Sequence, residues 1–213
     1  MLTQGYSTSE IAESVGRSEA SISIKIKRLG KDERTYNHEH IEEKYYFNAL
    51  FADYVKPQTA LDLYCGTRQF WKQYCECVTN DKDKSITADY NEPAEKLIHK
   101  LYYDGNSFDL IDLDPFGSAY ECFDLAIKMA KKAVVITLGE LGHKRFKRLD
   151  YVSRYYGINS LDDFTTENLI VYIQGIGIRN KKNLTVWQIK EWRNIARVYF
   201  LVNPAKINCW RKV

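Results

Sequence analysis

The sequence predicts an α/β protein: a mostly parallel sheet with helices on both faces, finished by an antiparallel hairpin and preceded by a small all-α module. Three observations predict it. Between residues 60 and 138, short apolar runs that end in Gly or Asp alternate with helix-like patterns. Residues 184–192 and 195–202 are two β-rich runs separated only by Arg193-Asn194, a hairpin signal. The opening thirty residues carry helical periodicity and two glycine- or serine-punctuated helix boundaries.

The chain of 213 residues has room for one medium domain and a small appendage. Hydrophobic residues at 45% and charged residues at 28% exclude a disordered chain. No apolar run reaches the roughly 18 residues that a membrane span needs, so no membrane partner is expected. Ser7, Thr8, Ser9, Glu10 and Glu13 make the N-terminus too polar for a signal peptide. Cys65, Cys75, Cys77, Cys122 and Cys209 are odd in number and lack a zinc-like Cys-x-x-Cys pair, which reads as reduced thiols in a cytoplasmic protein without a metal. The net charge of +3 is unevenly spread: residues 36–139 hold eleven Lys/Arg against seventeen Asp/Glu, and residues 140–213 hold fourteen against six. A basic final third beside an acidic middle suits a polyanionic partner.

Residues 1–35 read as a helix-turn-helix. Ser7 with Glu10 forms a capping box, Gly16 suits the left-handed turn, and Ser18 opens a second helix. Ala12, Gly16 and Ile22 stand at the spacing of DNA-reading modules. Ser18 and Ser21 are placed to reach base edges, and Lys25 and Arg28 to reach phosphates. The alternative is a helical hairpin used for packing or for a homodimer. Residues 36–213 form the main domain, opening with an amphipathic helix over residues 40–54 that is expected to cover the sheet.

Residues 60–64 predict the first strand, followed by Cys65-Gly66-Thr67 and a helix over residues 68–77. Residues 85–88 predict a second strand ending at Asp89, which lies 23 residues after Gly66, near the spacing of an acid that holds ribose hydroxyls. A helix from Pro93 to about residue 101 follows. Residues 108–113 predict the third strand, running into Asp114-Pro115-Phe116-Gly117, and residues 133–138 the fourth. The sequence lacks G-x-x-x-x-G-K-[ST], which excludes a P-loop ATPase.

Two stretches carry a resemblance. Asp62-Leu63-Tyr64-Cys65-Gly66-Thr67 with Phe70 is similar to the first motif of S-adenosylmethionine-dependent RNA methyltransferases. Residues 108–118, above all Asp114-Pro115-Phe116-Gly117, resemble the corresponding stretch of the tRNA guanosine N2-dimethyltransferases. The likeness covers about residues 58–140 and implies the Rossmann-like class I methyltransferase sheet with S-adenosylmethionine as cofactor. It implies that Gly66, with Tyr64 and Cys65, lets the backbone approach the methionine part of the cofactor. It also implies that Asp62 holds the amino group, Asp89 the ribose and Tyr90 the adenine. Arg68 stands where many relatives have a second glycine, and a side chain of that size is expected either to narrow the cofactor pocket or to reach the carboxylate of the bound methionine. The interval from Asp89 to Phe116 is short for a methyltransferase; residues 101–103 are read as the stub of an extra strand, with Asp104 near the adenine.

The chemistry of the motif follows from its atoms. An exocyclic base amine is a poor nucleophile because its lone pair is delocalised into the ring. A carboxylate (Asp114) and a backbone carbonyl (Pro115) accepting its two N–H bonds would aim that lone pair at a methyl donor. Phe116 is placed to stack on a flipped base, and Gly117 to permit the turn. Lys144, Arg145, Phe146 and Arg148 form a basic, aromatic loop after the fourth strand; Lys181 and Lys182 form a second basic turn. The expected function is therefore N-methylation of nucleic acid, with DNA slightly ahead of tRNA because of the N-terminal module. The alternative is a nucleic-acid-binding regulator with a degenerate core.

Overall fold

The computed structural model describes residues 40–205 and Glu13. Ser18, Ser21, Lys25 and Arg28, and with them the expected helix-turn-helix, lie outside the described residues. The chain divides into two compact units, Met1–Phe47 and Asn48–Val213. The described part of the first is the opening of helix α1 (Ile41–Val55), where the Tyr46 and Phe47 rings meet edge to face at 5.4 Å.

The second unit follows a βα alternation after α1. Strand β1 (Thr59–Asp62), a 3-10 turn (Phe70–Gln73), and strand β2 (Glu76–Thr79) precede helix α2 (Ala94–Tyr103). Strand β3 (Phe108–Leu113), helix α3 (Phe123–Met129) and strand β4 (Ala130–Leu138) complete the parallel part. Short helix α4 (Gly142–Arg145), helix α5 (Leu149–Tyr156) and helix α6 (Thr166–Arg179) lead to the hairpin of β5 (Lys182–Trp192) and β6 (Ile195–Pro204). The sheet order is β2-β1-β3-β4-β6-β5; the first four are parallel, and β6 inserts antiparallel between β4 and β5. Asn194, at φ 63, supplies the left-handed residue that the two-residue hairpin turn requires.

Three expectations are corrected here. Residues 68–77 are not one helix: they hold the short 3-10 turn and the start of β2. The second strand is Glu76–Thr79 rather than residues 85–88. And residues 101–103 are the last turn of α2 rather than a strand stub, because α2 buries Leu97, Ile98 and Leu101 at helical spacing. What remains of a further edge strand is one parallel bridge between Asn80 and Tyr90, and loop 81–88 stands in place of a helix between them.

The two faces of the sheet are covered differently. One face carries Leu61, Leu63, Ile111, Leu113, Val134, Ile136, Val198 and Phe200, all fully buried beneath α2, α3, α5 and α6. At about 25 cal/mol per Å2 of apolar surface, this cluster is the main source of stability. Its fit is close: a Cβ on Gly177 of α6 would lie 2.9 Å from the Leu184 side chain on β5. The other face is lined by Phe51 of α1, whose ring lies 5.2 Å from Tyr199 and 5.0 Å from Trp187, and by fully buried Trp71. Among the described residues no helix is long and apolar enough to cross a membrane.

Candidate active site

The four parallel strands end at one edge of the sheet, so the loops after them gather there. β1 runs into Tyr64-Cys65-Gly66, β2 into Asn80-Asp81, β3 into Asp114-Pro115-Phe116-Gly117, and β4 into Gly139-Glu140. Gly66 has φ 56, a conformation that favours glycine, and a Cβ there would meet nothing within 4 Å. Its N–H donates to Asp81 Oδ2 at 3.2 Å. Asn80 stitches the neighbouring loops together: its amide donates to the Leu63 and Glu92 carbonyls and its oxygen accepts the Glu92 N–H at 3.1 Å. Asn80 and Asp81 were hidden from sequence reasoning because β2 was placed one segment too late.

That correction moves the acid at the end of the second strand from Asp89 to Asp81. Asp89 accepts from the Thr79 N–H at 2.8 Å and the Thr79 hydroxyl at 2.7 Å, and Lys72 lies 3.5 Å away. The Thr79 hydroxyl, ahead of its N–H and Lys72, holds the Asp89 carboxyl below its ordinary range. Asp89 thus fastens the return segment against β2. Tyr90 forms the edge bridge, with Lys100 5.2 Å from its ring. Asp104 follows the C-terminus of α2, which leads back to where β3 begins, so it sits at the sheet end away from the strand C-termini and not beside a ligand there.

Three carboxylates share the α1-facing side of the sheet. Asp62 pairs with Asp112 across β1 and β3, and Asp114 lies two residues beyond Asp112. Burial, then repulsion from Asp112 and Asp114, pushes the Asp62 carboxyl well above its ordinary value. Asp112 is also pushed up by burial, although Arg197 opposes this. Asp112 Oδ2 accepts from Trp71 Nε1 at 2.7 Å and Arg197 Nη2 at 2.6 Å, while Oδ1 is buried without a hydrogen bond. Arg197 is fully buried; it also donates to the Thr137 hydroxyl and to Asn48 Oδ1, and its Nη1 lies 3.7 Å from Asp114 Oδ1. Asp114 differs from its neighbours in one respect: its side chain is 26% exposed, against 4% for Asp112. It is the acid of the three that a ligand at the strand ends can reach. Arg197 escaped the sequence reading because one charged residue in an alternating strand reads as an outward-facing one.

Pro115 is buried, Phe116 is fully exposed, and Gly117 has φ 132, which allows the turn to double back. Tyr64 turns its hydroxyl towards the Cys122 sulfur at 3.8 Å. Burial, with Asp62 and Asp81 nearby, pushes the Cys65 thiol up to about 12, so it is no thiolate nucleophile at neutral pH. Arg68 is exposed on the loop after Gly66.

The two basic clusters separate. Lys144, Arg145, Phe146 and Arg148 are exposed and follow the C-terminal end of β4, on the edge with Asp114. The Arg145 and Arg148 guanidinium groups lie 5.7 and 5.4 Å from the Phe146 ring centre. Lys181 and Lys182 lie at the opposite edge, because β5 runs antiparallel to β6 and pairs Lys182 with Pro204. Lys182 Nζ caps helix α3 through the carbonyls of Ile127, Lys128 and Ala130. Its ammonium is committed to structure rather than to a phosphate beside the site.

No family model and no curated protein matches this chain. Among solved structures it is similar to Trm1 from Pyrococcus horikoshii in complex with S-adenosyl-L-methionine, with a TM-score of 0.57 and 16% identity over 72% of this chain and 52% of that one. A putative SAM-dependent methyltransferase from Streptococcus mutans follows, with a TM-score of 0.49 and 10% identity over 72% of this chain and 47% of that one. An O-methyltransferase from Bacillus cereus in complex with SAH has a TM-score of 0.49 and 9% identity over 75% of this chain and 80% of that one. The chain spans about half the length of the first two. The sheet order, the closing hairpin and the likeness to Trm1 together establish that this chain has the class I methyltransferase fold.

Proposed function

We propose that the protein is an S-adenosylmethionine-dependent N-methyltransferase acting on an exocyclic amino group of a nucleic acid. The observation that carries this reading is Asp114: the one partly exposed acid of a buried set, at the end of β3, followed directly by the Pro115 carbonyl. The residues at the strand ends fit the cofactor. The open space beside Gly66 admits a close backbone approach, and Asp81, rather than Asp89, is the carboxylate placed for ribose hydroxyls. Asp62 is buried and supports the loop by accepting the Tyr64 N–H at 3.3 Å. When bound, the cofactor supplies an electrophilic methyl group on a sulfonium. Asp114 and the Pro115 carbonyl would accept hydrogen bonds from the two amine N–H groups, orient the lone pair and stabilise the positive charge that develops on nitrogen, with Asp114 placed to receive the proton the methylated amine gives up. Exposed Phe116 offers a stacking surface for the base, and the Lys144-to-Arg148 loop neutralises phosphates beside it.

The resemblance of residues 114–117 and the likeness to Trm1 favour guanosine N2 in tRNA, while the helix-turn-helix spacing of residues 1–35 favours DNA. Tritiated-methyl transfer to total tRNA and to genomic DNA, followed by nucleoside identification, decides between them. Transfer to neither substrate refutes the reading. A nucleic-acid-binding regulator with a non-catalytic core is the second reading, favoured by the edge strand reduced to one bridge; calorimetry showing no S-adenosylmethionine binding would favour it.

A further inference from the structure

Glu140 follows the end of β4 on the same sheet edge, and it is fully buried. Its Oε1 accepts from the Ser118 hydroxyl and the Tyr156 hydroxyl, each at 3.0 Å, and the backbone N–H groups of Glu140 and Ala119 are directed at the same carboxyl. Ser118 Oγ in turn accepts the Tyr120 N–H at 3.1 Å, so one hydroxyl joins the acid to the chain that leaves the Asp-Pro-Phe-Gly turn. A second contact joins the same two loops. A Cβ on Gly139 would collide with the Gly117 carbonyl, so backbone meets backbone there.

A carboxyl taken fully out of water is costly to keep even when hydroxyls and N–H groups are directed at it. Burial also pushes the Glu140 carboxyl up to about 7, against the pull of its hydrogen bonds. Such a group is expected where function, rather than stability, constrains the structure. What it holds is the turn carrying both acceptors of the proposed chemistry.

We propose that Glu140 is a positioning residue which, through Ser118 and the Gly139–Gly117 contact, fixes the turn that presents the Asp114 carboxylate and the Pro115 carbonyl. This rests on the methyltransferase reading above. Asp114 and Pro115 hang from β3 at one end; Glu140 fixes the other end of their loop to β4. A misplacement of about 1 Å at such an acceptor pair costs on the order of a hundredfold in rate.

The test compares Glu140→Ala, Ser118→Ala, Glu140→Gln and Tyr156→Phe with the wild-type chain. Amide exchange across residues 114–120 is measured by mass spectrometry, beside kcat, KM and S-adenosylmethionine affinity. In Glu140→Ala and Ser118→Ala, exchange is expected to speed up about tenfold and kcat to fall ten- to hundredfold, with KM and cofactor affinity within about twofold. The double Glu140→Ala, Ser118→Ala variant is expected to be no worse than the worse single, because the two act as one device. Glu140→Gln keeps an acceptor for Ser118 and restores most of the rate. Tyr156→Phe removes the other donor, lowering the melting temperature but not the loop's protection. Unchanged exchange in Ser118→Ala, or a kcat loss no greater than that of Tyr156→Phe, overturns the proposal. If the wild-type chain transfers no methyl group, the functional reading fails, and the exchange measurements alone decide whether Glu140 holds the turn.

Discussion

The two faces of the sheet solve the same burial problem with opposite materials. Beneath α2, α3, α5 and α6, Leu61, Leu63, Ile111, Leu113, Val134, Ile136, Val198 and Phe200 make an apolar layer. Beneath α1, the intervening residues include Asp62 and a network of Asp112, Thr137, Arg197 and Tyr199, tied to Asn48 and Trp71 by hydrogen bonds of 2.6 to 3.2 Å. The apolar face stabilises without directing anything. The polar face fixes charges in space: one guanidinium sits between two carboxylates, and the outermost of these reaches the strand ends. In a low-dielectric setting such an arrangement is sensitive to the loss of any member, whereas an apolar face tolerates shape-conserving exchange.

The largest effect is expected at the cation. Arg197→Met should cost about 3–5 kcal/mol in urea unfolding, since it leaves Asp112 buried without its charge partner. Adding Asp112→Asn should recover part of that loss; full additivity of the two would break the comparison. Next, Asp114→Asn should lower kcat by about a hundred- to a thousandfold, or roughly 2.7–4 kcal/mol, while changing stability by less than about 1 kcal/mol. Wild-type turnover in that variant would remove Asp114 from the chemistry.

Glu140, in contact with Tyr156 of the helix-covered core, sharpens the contrast through pH. Burial raises its folded-state value from 4.5 to about 7, so the fold binds the proton more tightly than the unfolded chain does. Its contribution is therefore fully present below pH 4.5 and lost as pH rises to about 7. Glu140→Gln should flatten the stability–pH curve over that window by about 3 kcal/mol relative to wild type. An unchanged difference curve would mean that the carboxyl is solvated. The smallest effect belongs to the surface: Lys144→Ala with Arg145→Ala and Arg148→Ala should lower the slope of log affinity against log salt by up to about two to three for a polynucleotide. Folding should be unaffected, because these side chains are exposed.

Much of the fold was legible because its strongest signals are periodic. β3 begins and ends where its six-residue apolar run does, and the hairpin turn falls at Arg193-Asn194 as the β-rich runs require. The region after Gly66 was not legible. β2 is a four-residue strand that is exposed at its start and buried only at its end, so Glu-Cys-Val-Thr offers no apolar run, whereas Ser-Ile-Thr-Ala resembles one. The assignment of Asp89, and the omission of Asp81, followed from that single displacement. Lys182 looked like half of a basic turn because composition does not reveal which sheet edge a turn occupies; only the antiparallel pairing of β5 with β6 does. Asp114 was legible because its neighbours Pro115, Phe116 and Gly117 form a short, specific word. Arg197 stands alone in its strand.

The Arg197 contact also has a bearing on how the molecule is made. Asp112 emerges from the ribosome 85 residues ahead of the guanidinium that neutralises it. Until β6 pairs with β4, Asp112 lacks the guanidinium that neutralises it in the fold, and burying it without that partner is costly. A nascent chain halted before β6 would lack Arg197 on one face of the sheet and Val198 and Phe200 on the other, so the charged face and the helix-covered face are completed by the same last step.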